Sequence, residues 1–309
     1  TSKAIIYTPL LLDPARVPEG RKVFVADDGS NAANNYGQDP AKPVSYSRFL
    51  TINNSLGKGA TVFFKRGDSF RITDTMQAKN YVTYTSYGVG DKPKFIASID
   101  GSDADKWIST KYKNVWLFNQ KLSGLENDVG HIRINRGKLW GIKVSAQNYT
   151  DKRVNNGDVY NGRTFIAGMD GTLQNGKGLV NDLEFWHDYD NGKLYFYCAD
   201  GNPGEVFDSI EIANKGNAIR GNTGTVLDNL YVTGAGSHGI GMGTVRDVTV
   251  SNMFLEWIGG SIQNLSLDAN AQTGGTPTRF GNAIEAYGAA SNFTIKNSFC
   301  DQIYDCCFT

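Results

Sequence analysis

The sequence predicts an all-β protein built as a solenoid, in which short strands stack coil upon coil. Three observations predict this class. Helical periodicity is almost absent, short apolar-x-apolar triplets are separated by Gly, Asn and Asp, and the last hundred residues repeat with a period near 22 residues. Glycine supplies 36 of the 309 residues, well above its usual share of about 7%. A fold with several sharp bends in every coil accounts for that excess.

Residues 1–106 are predicted to form the N-terminal cap and the first coils. Apolar residues recur at helical spacing only within residues 45–56, where Phe49, Ile52 and Leu56 fall on one face. A serine at position 45 or 47 can cap the start of this helix. We therefore expect one cap helix, followed by strands.

Residues 107–205 interrupt the repeat with longer, aromatic strands. Asn191-Gly192 separates the strands predicted at residues 183–187 and 193–197, and this dipeptide is a strong signal for a tight hairpin. The segment is predicted to be an antiparallel, β-rich insertion that lies against the solenoid.

Residues 206–309 carry the repeat itself. Residues 228–234, 246–252 and 291–297 superpose as one apolar-x-apolar triplet followed by Gly or Asn. A second register superposes four isoleucines, spaced 21, 22 and 22 residues apart, namely Ile219, Ile240, Ile262 and Ile284. We expect them to form one buried column, with strands of successive coils paired in parallel about 4.8 Å apart.

The two ends of the chain lead to further predictions. Cys307 falls 23 residues after Ile284, so it is predicted to occupy the same column in a further coil. No polar cap follows, and we expect the chain to be a truncated piece whose uncapped end could self-associate. The chain starts at Thr1 without a methionine, so either a signal peptide has been removed or the chain has been trimmed. We expect a secreted protein.

Charge and cysteine content exclude several classes. Lys and Arg number 31 and Asp and Glu number 31, so the formal net charge is zero, and no basic run is present. Nucleic acid is therefore not an expected partner. No apolar stretch approaches the roughly 20 residues that cross a bilayer, which argues against membrane insertion. The four cysteines lack CxxC spacing and are predicted to be buried thiols.

Three stretches together resemble one known superfamily. They are residues 23–31 with 59–68, residues 185–188 with 192–195, and residues 281–293 with the closing Tyr304-Asp305. The chain resembles the secreted right-handed parallel β-helix proteins of the pectate-lyase-like superfamily, in particular carbohydrate-active members. The resemblance implies a right-handed solenoid. It also implies a polysaccharide lyase, a polysaccharide hydrolase, a tailspike-like depolymerase or a non-catalytic adhesin, because this fold serves all of these.

The residue after each column isoleucine is predicted to point outward, by strand alternation. This lane holds Arg220, Gly241 and Glu285, and His238 lies two residues before its isoleucine. We take His238, Arg220 and Glu285 as the candidate catalytic residues. In a lyase, Arg220 would bind a uronate carboxylate and His238 would remove the adjacent proton.

Hydrolysis would instead need two carboxylates, Glu285 with Asp305 or Glu256. Glu256 and Asp301 occupy equivalent positions after their triplets, and Ca²⁺ binding by such residues is the alternative. The acidic stretch at residues 27–39 also has oxygen ligands suited to Ca²⁺ but no definite spacing, and a solvated turn is the preferred interpretation. The candidate substrate-binding residues are Trp257, Arg279, Tyr287, Tyr304 and Asp305.

The sequence thus favours an extracellular enzyme that degrades a polysaccharide, with β-elimination on a uronate-containing glycan preferred over glycoside hydrolysis. The alternative is a non-catalytic β-helix that binds glycans or builds a fibre. No cofactor is required by any motif.

Overall fold

The chain folds mostly into short strands. A computed structural model describes residues 20–122, 128–144, 159–160, 163–164, 178–188, 192–214, 216–263 and 278–309. The α-helices in this part are α1 (Tyr46–Asn53) and α2 (Pro203–Val206), and two short 3-10 helices lie at Ala104–Lys106 and Asn135–Gly137. The strands are β1 (Lys22–Ser30), β2 (Thr61–Lys65), β3 (Ser69–Arg71), β4 (Met76–Gln77), β5 (Thr83–Tyr87), β6 (Lys94–Ile96), β7 (Ile99–Asp100), β8 (Trp107–Ser109), β9 (Val115–Phe118), β10 (His131–Ile134), β11 (Leu139–Trp140), β12 (Ile142–Lys143), β13 (Val159–Tyr160), β14 (Arg163–Thr164), β15 (Glu184–Asp188), β16 (Lys193–Tyr197), β17 (Ile210–Ala213), β18 (Ile219–Arg220), β19 (Val226–Asp228), β20 (Tyr231–Thr233), β21 (Ile240–Met242), β22 (Thr249–Ser251), β23 (Phe254–Ile258), β24 (Ser261–Gln263), β25 (Thr278–Phe280), β26 (Ile284–Ala286), β27 (Thr294–Lys296) and β28 (Phe299–Ile303). Among these elements, no helix has the length and apolar character needed to cross a membrane.

Three parallel sheets form the main body. Sheet A has the order β1-β2-β5-β19-β22-β27, sheet B the order β28-β23-β20-β6-β3, and sheet C the order β26-β21-β18-β4. Four stretches of chain each add one strand to sheet C, then to sheet A, then to sheet B: β4-β5-β6, β18-β19-β20, β21-β22-β23 and β26-β27-β28. The prediction of a mostly β chain with stacked parallel strands is confirmed.

The core lies between the three sheets. On sheet C, Ile219 pairs with Met76 and Ile240, and Ile240 pairs with Ile284; all four side chains are buried. Burial of each such side chain contributes about 1.5–3 kcal/mol. The predicted helix is also present as α1, whose Ser45 side chain caps it by accepting the Arg48 N–H at 3.1 Å.

Asparagines turn the chain from sheet A to sheet B. Asn229, Asn252 and Asn297 follow β19, β22 and β27, and their φ angles are 57°, 52° and 50°. Asn tolerates this left-handed conformation better than most residues because its short side chain can hydrogen-bond locally. One such residue per coil explains why Asn recurs beside Gly in the repeat.

The predicted column fails at Ile262. This residue lies on β24, which pairs antiparallel with β25, whereas Ile240 on sheet C pairs directly with Ile284. The chain therefore leaves the stack after β23 and returns at β26. A buried isoleucine beside small residues suits a hairpin as well as a coil, so its local pattern did not distinguish the two.

Two registers also differ from the expectation. Residues 246–252 and 291–297 align as predicted. Residues 228–234 do not align with them: Thr249 pairs with Val226 in the preceding coil, and the strand Tyr231–Thr233 belongs to sheet B. Apolar-x-apolar triplets occur on both sheets, which explains the misassignment. At the chain end, Phe308 rather than Cys307 bridges to Ile284, a shift of one residue.

Mostly antiparallel strands occupy the chain between β6 and β18, with β12 parallel to β15 as the exception among the described strands. Sheet D has the order β11-β10-β17-β7, and sheet E has the order β12-β15-β16-β9-β8. The predicted pairing of β15 with β16 is present, with Phe185 opposite Phe196, while Asn191 of the predicted turn lies outside the described residues. A separate apolar cluster that includes Ile132, Phe185 and Ile212 forms the core of this insertion.

A buried polar cluster attaches the insertion to the parallel sheets. Asp128 accepts hydrogen bonds from Lys143 and from the Ile262 N–H, and it lies 3.0 Å from Nδ1 of His187. Burial lowers the pKa of Lys143 to about 8, partly opposed by Asp128. Because the Lys143 ammonium group also donates to the Gly260 carbonyl at 3.3 Å, the cluster joins both parts of the molecule.

Candidate functional site

Two carboxylates lie side by side on the outer face of sheet B. Glu256 on β23 is the register partner of Asp301 on β28, as the repeat predicted. Neighbouring strands in such a sheet are about 4.8 Å apart. The alternation of side chains turns Leu255 inward, where it is buried, and leaves Glu256 on the outer face.

Glu256 is held from two directions. Its Oε1 lies 3.1 Å from Nη1 of Arg133, and the Tyr231 hydroxyl donates to the same oxygen in a short hydrogen bond. Burial raises the pKa of Tyr231, and the Glu256 carboxylate raises it further, so this phenol stays protonated and remains a donor. The Glu256 side chain is 12% exposed. Glu256 is therefore an ordered carboxylate whose ionised form has two donors.

Asp301 has a different environment. Asp301 is exposed, and it takes part in none of the ion pairs formed by the described residues. One carboxylate is thus clamped and its neighbour faces solvent. Two adjacent carboxyl groups in contrasting surroundings are typical of acid–base catalysis.

Trp257 follows Glu256 on β23 and lies next to it on the outer face of sheet B. Its φ of 52° is left-handed, which is unusual for a bulky residue and places two successive side chains on the same outer side of the strand. The Arg133 guanidinium lies 5.5 Å from the Trp257 ring centroid, and the His131 ring lies 5.9 Å from it. This candidate binding residue therefore packs against the insertion next to the carboxylates.

A cleft of about 270 Å³ separates sheet D from sheet B. One wall carries Glu211, which accepts two hydrogen bonds of 2.8 Å from Arg71 and one of 2.6 Å from Ser98. The floor carries Thr233, next to Arg133. The cleft thus lies beside Glu256, and the insertion supplies part of its lining.

The predicted outward lane on sheet C is present. Arg220 pairs with Gln77 and Gly241, and Gly241 pairs with Glu285. The side chain of Asn217 lies over Gly241, close to where a Cβ would project. The lane is therefore continuous from Gln77 to Glu285, but it is covered at its centre.

The structure brings His238 and Glu285 together. Nδ1 of His238 lies 3.2 Å from Oε2 of Glu285, and the Asn282 N–H donates to the same nitrogen at 3.1 Å. Burial lowers the pKa of His238, partly opposed by the carboxylates of Glu285 and Asp305. The Phe280 ring packs edge-on against the imidazole at 5.1 Å. His238 is thus a largely neutral, enclosed histidine.

Arg220 does not join this pair. Its Nη2 lies 3.8 Å from where a Cβ would stand at Gly243, beyond the end of β21, whereas His238 precedes the start of that strand. The two groups that the elimination hypothesis needs in one groove therefore extend toward opposite ends of the sheet.

The other candidate binding residues lie at two corners. The corner between sheets B and C holds Arg279, Tyr304 and Asp305, whereas Tyr287 follows β26 at the corner between sheets C and A. The Arg279 guanidinium lies 4.4 Å from the centroid of the Tyr304 ring, and its Nε donates to the Gly260 carbonyl at 2.9 Å. Asp305 is exposed, and Tyr287 is 71% exposed. Arg279 is thus engaged in the structure of the corner, while Tyr287 and Asp305 face solvent.

Residues Asp27, Asp28 and Asp68 could hold a hard cation. Their carboxylate oxygens lie within 4.8 Å of one another. Burial raises the pKa of Asp68, in spite of a hydrogen bond from the Asp27 N–H. Lys65 is 3.5 Å from Asp28 and 4.0 Å from Asp68, so an ammonium group already offsets part of this negative charge.

Sequence reasoning missed Arg133, Tyr231 and Glu211. A signal existed for each of them, because they alternate with buried apolar residues on β10, β20 and β17. That alternation indicates only that the side chains point away from a core. It does not indicate that strands distant in sequence face one another across a cleft.

No protein-family model matches the sequence, and no curated protein matches it. Among solved structures, the chain is similar to XylC in complex with xylose, with 13% identity and a TM-score of 0.47 over 93% of this chain and 54% of that one. It is also similar to the GH136 lacto-N-biosidase from Eubacterium ramulus, with 11% identity and a TM-score of 0.39 over 94% of this chain and 36% of that one. A protein described as a glycoside hydrolase has 10% identity and a TM-score of 0.36 over 90% of this chain and 74% of that one. The chain spans about half of the length of XylC and about a third of the lacto-N-biosidase.

Proposed function

We propose that this protein is a carbohydrate-active enzyme, a glycoside hydrolase that uses Glu256 and Asp301. The observation that carries the proposal is the pairing of these two carboxylates on neighbouring strands, one clamped by Arg133 and Tyr231 and the other exposed. A glycosidic bond is cleaved by two such groups, one that protonates the leaving oxygen and one that acts at the anomeric carbon.

The two environments support one assignment of roles. Glu256, with two donors on its ionised form, acts as the nucleophile, and Asp301 first donates a proton to the leaving oxygen. Asp301 then removes a proton from the water that hydrolyses the glycosyl-enzyme intermediate. A separation of about 5 Å between carboxyl groups is typical of hydrolysis with retained configuration, and adjacent strands about 4.8 Å apart fit that spacing.

We prefer hydrolysis to β-elimination on geometric grounds. Elimination on a uronate needs a cation at the sugar carboxylate and a base at the neighbouring proton. His238 could be the base, but Arg220 extends toward Gly243 and away from it. The sheet C residues His238 and Glu285 therefore remain a second candidate centre.

We infer that the three parallel sheets are the faces of a right-handed parallel β-helix of the pectate-lyase-like type. The delivery of one strand to each sheet in every coil supports this inference. A polysaccharide substrate favours secretion, since such polymers are mostly extracellular. Ca²⁺ binding by the acidic stretch at residues 27–39, next to which Asp68 lies, and self-association through the last coil remain predictions.

The test is to incubate the purified chain with a panel of neutral and acidic polysaccharides, following reducing ends and the ultraviolet absorbance of unsaturated sugar ends. Hydrolysis predicts new reducing ends without the unsaturated chromophore. The appearance of that chromophore would overturn hydrolysis in favour of elimination.

Non-catalytic glycan binding is the second candidate function. It is favoured by the row of aromatic rings on sheet B, where Tyr231, Phe254 and Phe299 follow one another at centroid distances of 4.6 and 5.4 Å. Binding of a glycan without release of any sugar ends would support this reading and contradict the proposed enzyme.

A further inference from the structure

The cleft between sheets B and D contains more positive than negative charge. Arg71 pairs with Glu211 and Arg133 pairs with Glu256, so these four charges compensate one another. Lys94 and Arg136 also line the cleft, and neither takes part in an ion pair among the described residues. His131 also lines the cleft. Burial lowers its pKa to about 4, so this histidine adds no charge near neutral pH.

Lys94 is held against the ring of Tyr231, the residue whose hydroxyl donates to Glu256. It is the register partner of Tyr231, and its Nζ lies 4.7 Å from the centroid of the Tyr231 ring. That contact fixes a partly buried ammonium group on the cleft floor through its attraction to the ring face.

Arg136 is presented by a strained turn. Asn135, Arg136 and Gly137 have φ angles of 49°, 58° and 92°, all left-handed. The turn is fixed from both sides, because the Arg136 N–H donates to Ser209 Oγ at 3.0 Å and its carbonyl accepts from Nη2 of Arg133 at 3.1 Å. Backbone strain that is held in place by surrounding contacts is often found at functional sites.

The space suits one sugar unit. A volume of about 270 Å³ corresponds to about nine water molecules at roughly 30 Å³ each. The hydroxyls of Ser98, Ser209 and Thr233 line it together with Lys94 and Arg136, which have no ion-pair partner among the described residues. Hydroxyl partners match the neutral part of a sugar, and uncompensated ammonium and guanidinium groups match an anionic substituent.

We propose that this cleft is a subsite for a sugar residue that carries a negative group, a uronate carboxylate or a sulfate ester, and that Lys94 and Arg136 bind that group. The choice of a sugar rests on the proposed function, whereas the preference for negative charge rests on the cleft alone. The subsite selects the substrate and does not take part in bond cleavage.

The test is binding measured by calorimetry, independent of turnover. One pair of ligands is an oligogalacturonate and its neutral methyl ester, and the other is a sulfated galactan oligosaccharide and its desulfated form. We expect at least one charged ligand to bind about ten-fold more tightly than its neutral partner. A stronger preference in the first pair would identify a carboxylate site, and one in the second pair a sulfate site.

Variants assign the effect to these residues. The double variant Lys94→Met/Arg136→Gln should lose the preference for the charged ligand. The charge-conserving double variant Lys94→Arg/Arg136→Lys should retain most of it. The control is Arg246→Gln, at an exposed arginine beside sheet A, and it should leave the preference unchanged. Equal binding of both members in each pair, or an unaltered preference in a folded double variant, would overturn the subsite. If the wild-type protein binds the charged ligands selectively but releases no sugar ends, the proposed hydrolase is overturned and the subsite is not.

Discussion

The guanidinium of Arg133, on the inserted sheet D, lies 3.1 Å from the carboxylate of Glu256 on the parallel sheet B. The candidate site therefore combines two parts of the chain that fold around separate apolar cores. The insertion is not a peripheral addition, because it orients the carboxylate that the parallel sheet supplies.

Replacing Arg133 tests this relationship. Arg133→Met keeps the length of the side chain and removes the charge, so Glu256 loses one of its two donors. A hydrogen bond to a charged group contributes about 1.5–3 kcal/mol, so kcat should fall by about 10- to 100-fold. Arg246→Met is the matched control. An unchanged kcat in a variant that melts like the wild type would contradict the role of Arg133.

Tyr231 supplies the second donor to Glu256. Tyr231→Phe removes only the hydroxyl and retains the ring between Lys94 and Phe254. We expect kcat to fall by about ten-fold with little change in KM, because the donor orients the nucleophile. Tyr36→Phe, on an exposed ring near α1, should have no effect. Equal losses in both variants would show that the Tyr231 hydroxyl has no special role.

His131 predicts a dependence of stability on pH. Burial lowers its pKa to about 4 from 6.5, so between these values the unfolded chain binds the proton more strongly than the folded one. Its contribution to stability is complete above pH 6.5 and is lost as the pH falls toward 4, by about 1.4 kcal/mol per pH unit. Urea unfolding of His131→Asn should show a flatter decline over this range than the wild type. Parallel curves would refute the assignment.

Close backbone packing at the corner between sheets B and C makes a further prediction. Gly281 has a φ of 140°, and a Cβ there would stand 2.2 Å from the Gly259 Cα. Gly281→Ala should therefore reduce the free energy of unfolding by about 3 kcal/mol or more. At Gly57, where a Cβ would meet no atom within 4 Å, alanine should change stability by about 1 kcal/mol or less. Equal midpoints in denaturant would contradict the packing described.

The sequence predicted the elements whose pattern is local and repeated. Ile219, Ile240 and Ile284 form the expected column because inward apolar residues alternate with outward ones in every coil. Ile262 did not join them, since an identical pattern also stabilises a hairpin. Local periodicity defines which way a side chain points, but it does not define which sheet receives the strand.

The candidate site was predicted in the same partial way. The repeat aligned Glu256 with Asp301, and the structure confirms that register. The donors Arg133 and Tyr231 could not be assigned, because their contact with Glu256 depends on how the insertion packs against sheet B. That packing is determined by side chains distributed along the chain, such as Asp128, Lys143 and Ser261.

Glycoside hydrolysis by Glu256→Gln and Asp301→Asn, measured beside the wild type, tests whether these two carboxylates carry out catalysis. Each variant removes one ionisable carboxyl group with almost no change in volume, and Glu205→Gln, on the short helix α2, serves as the control. We expect each site variant to lose at least about 100-fold in kcat while melting like the wild type. Wild-type kcat in either folded variant would contradict a catalytic role for these two carboxylates.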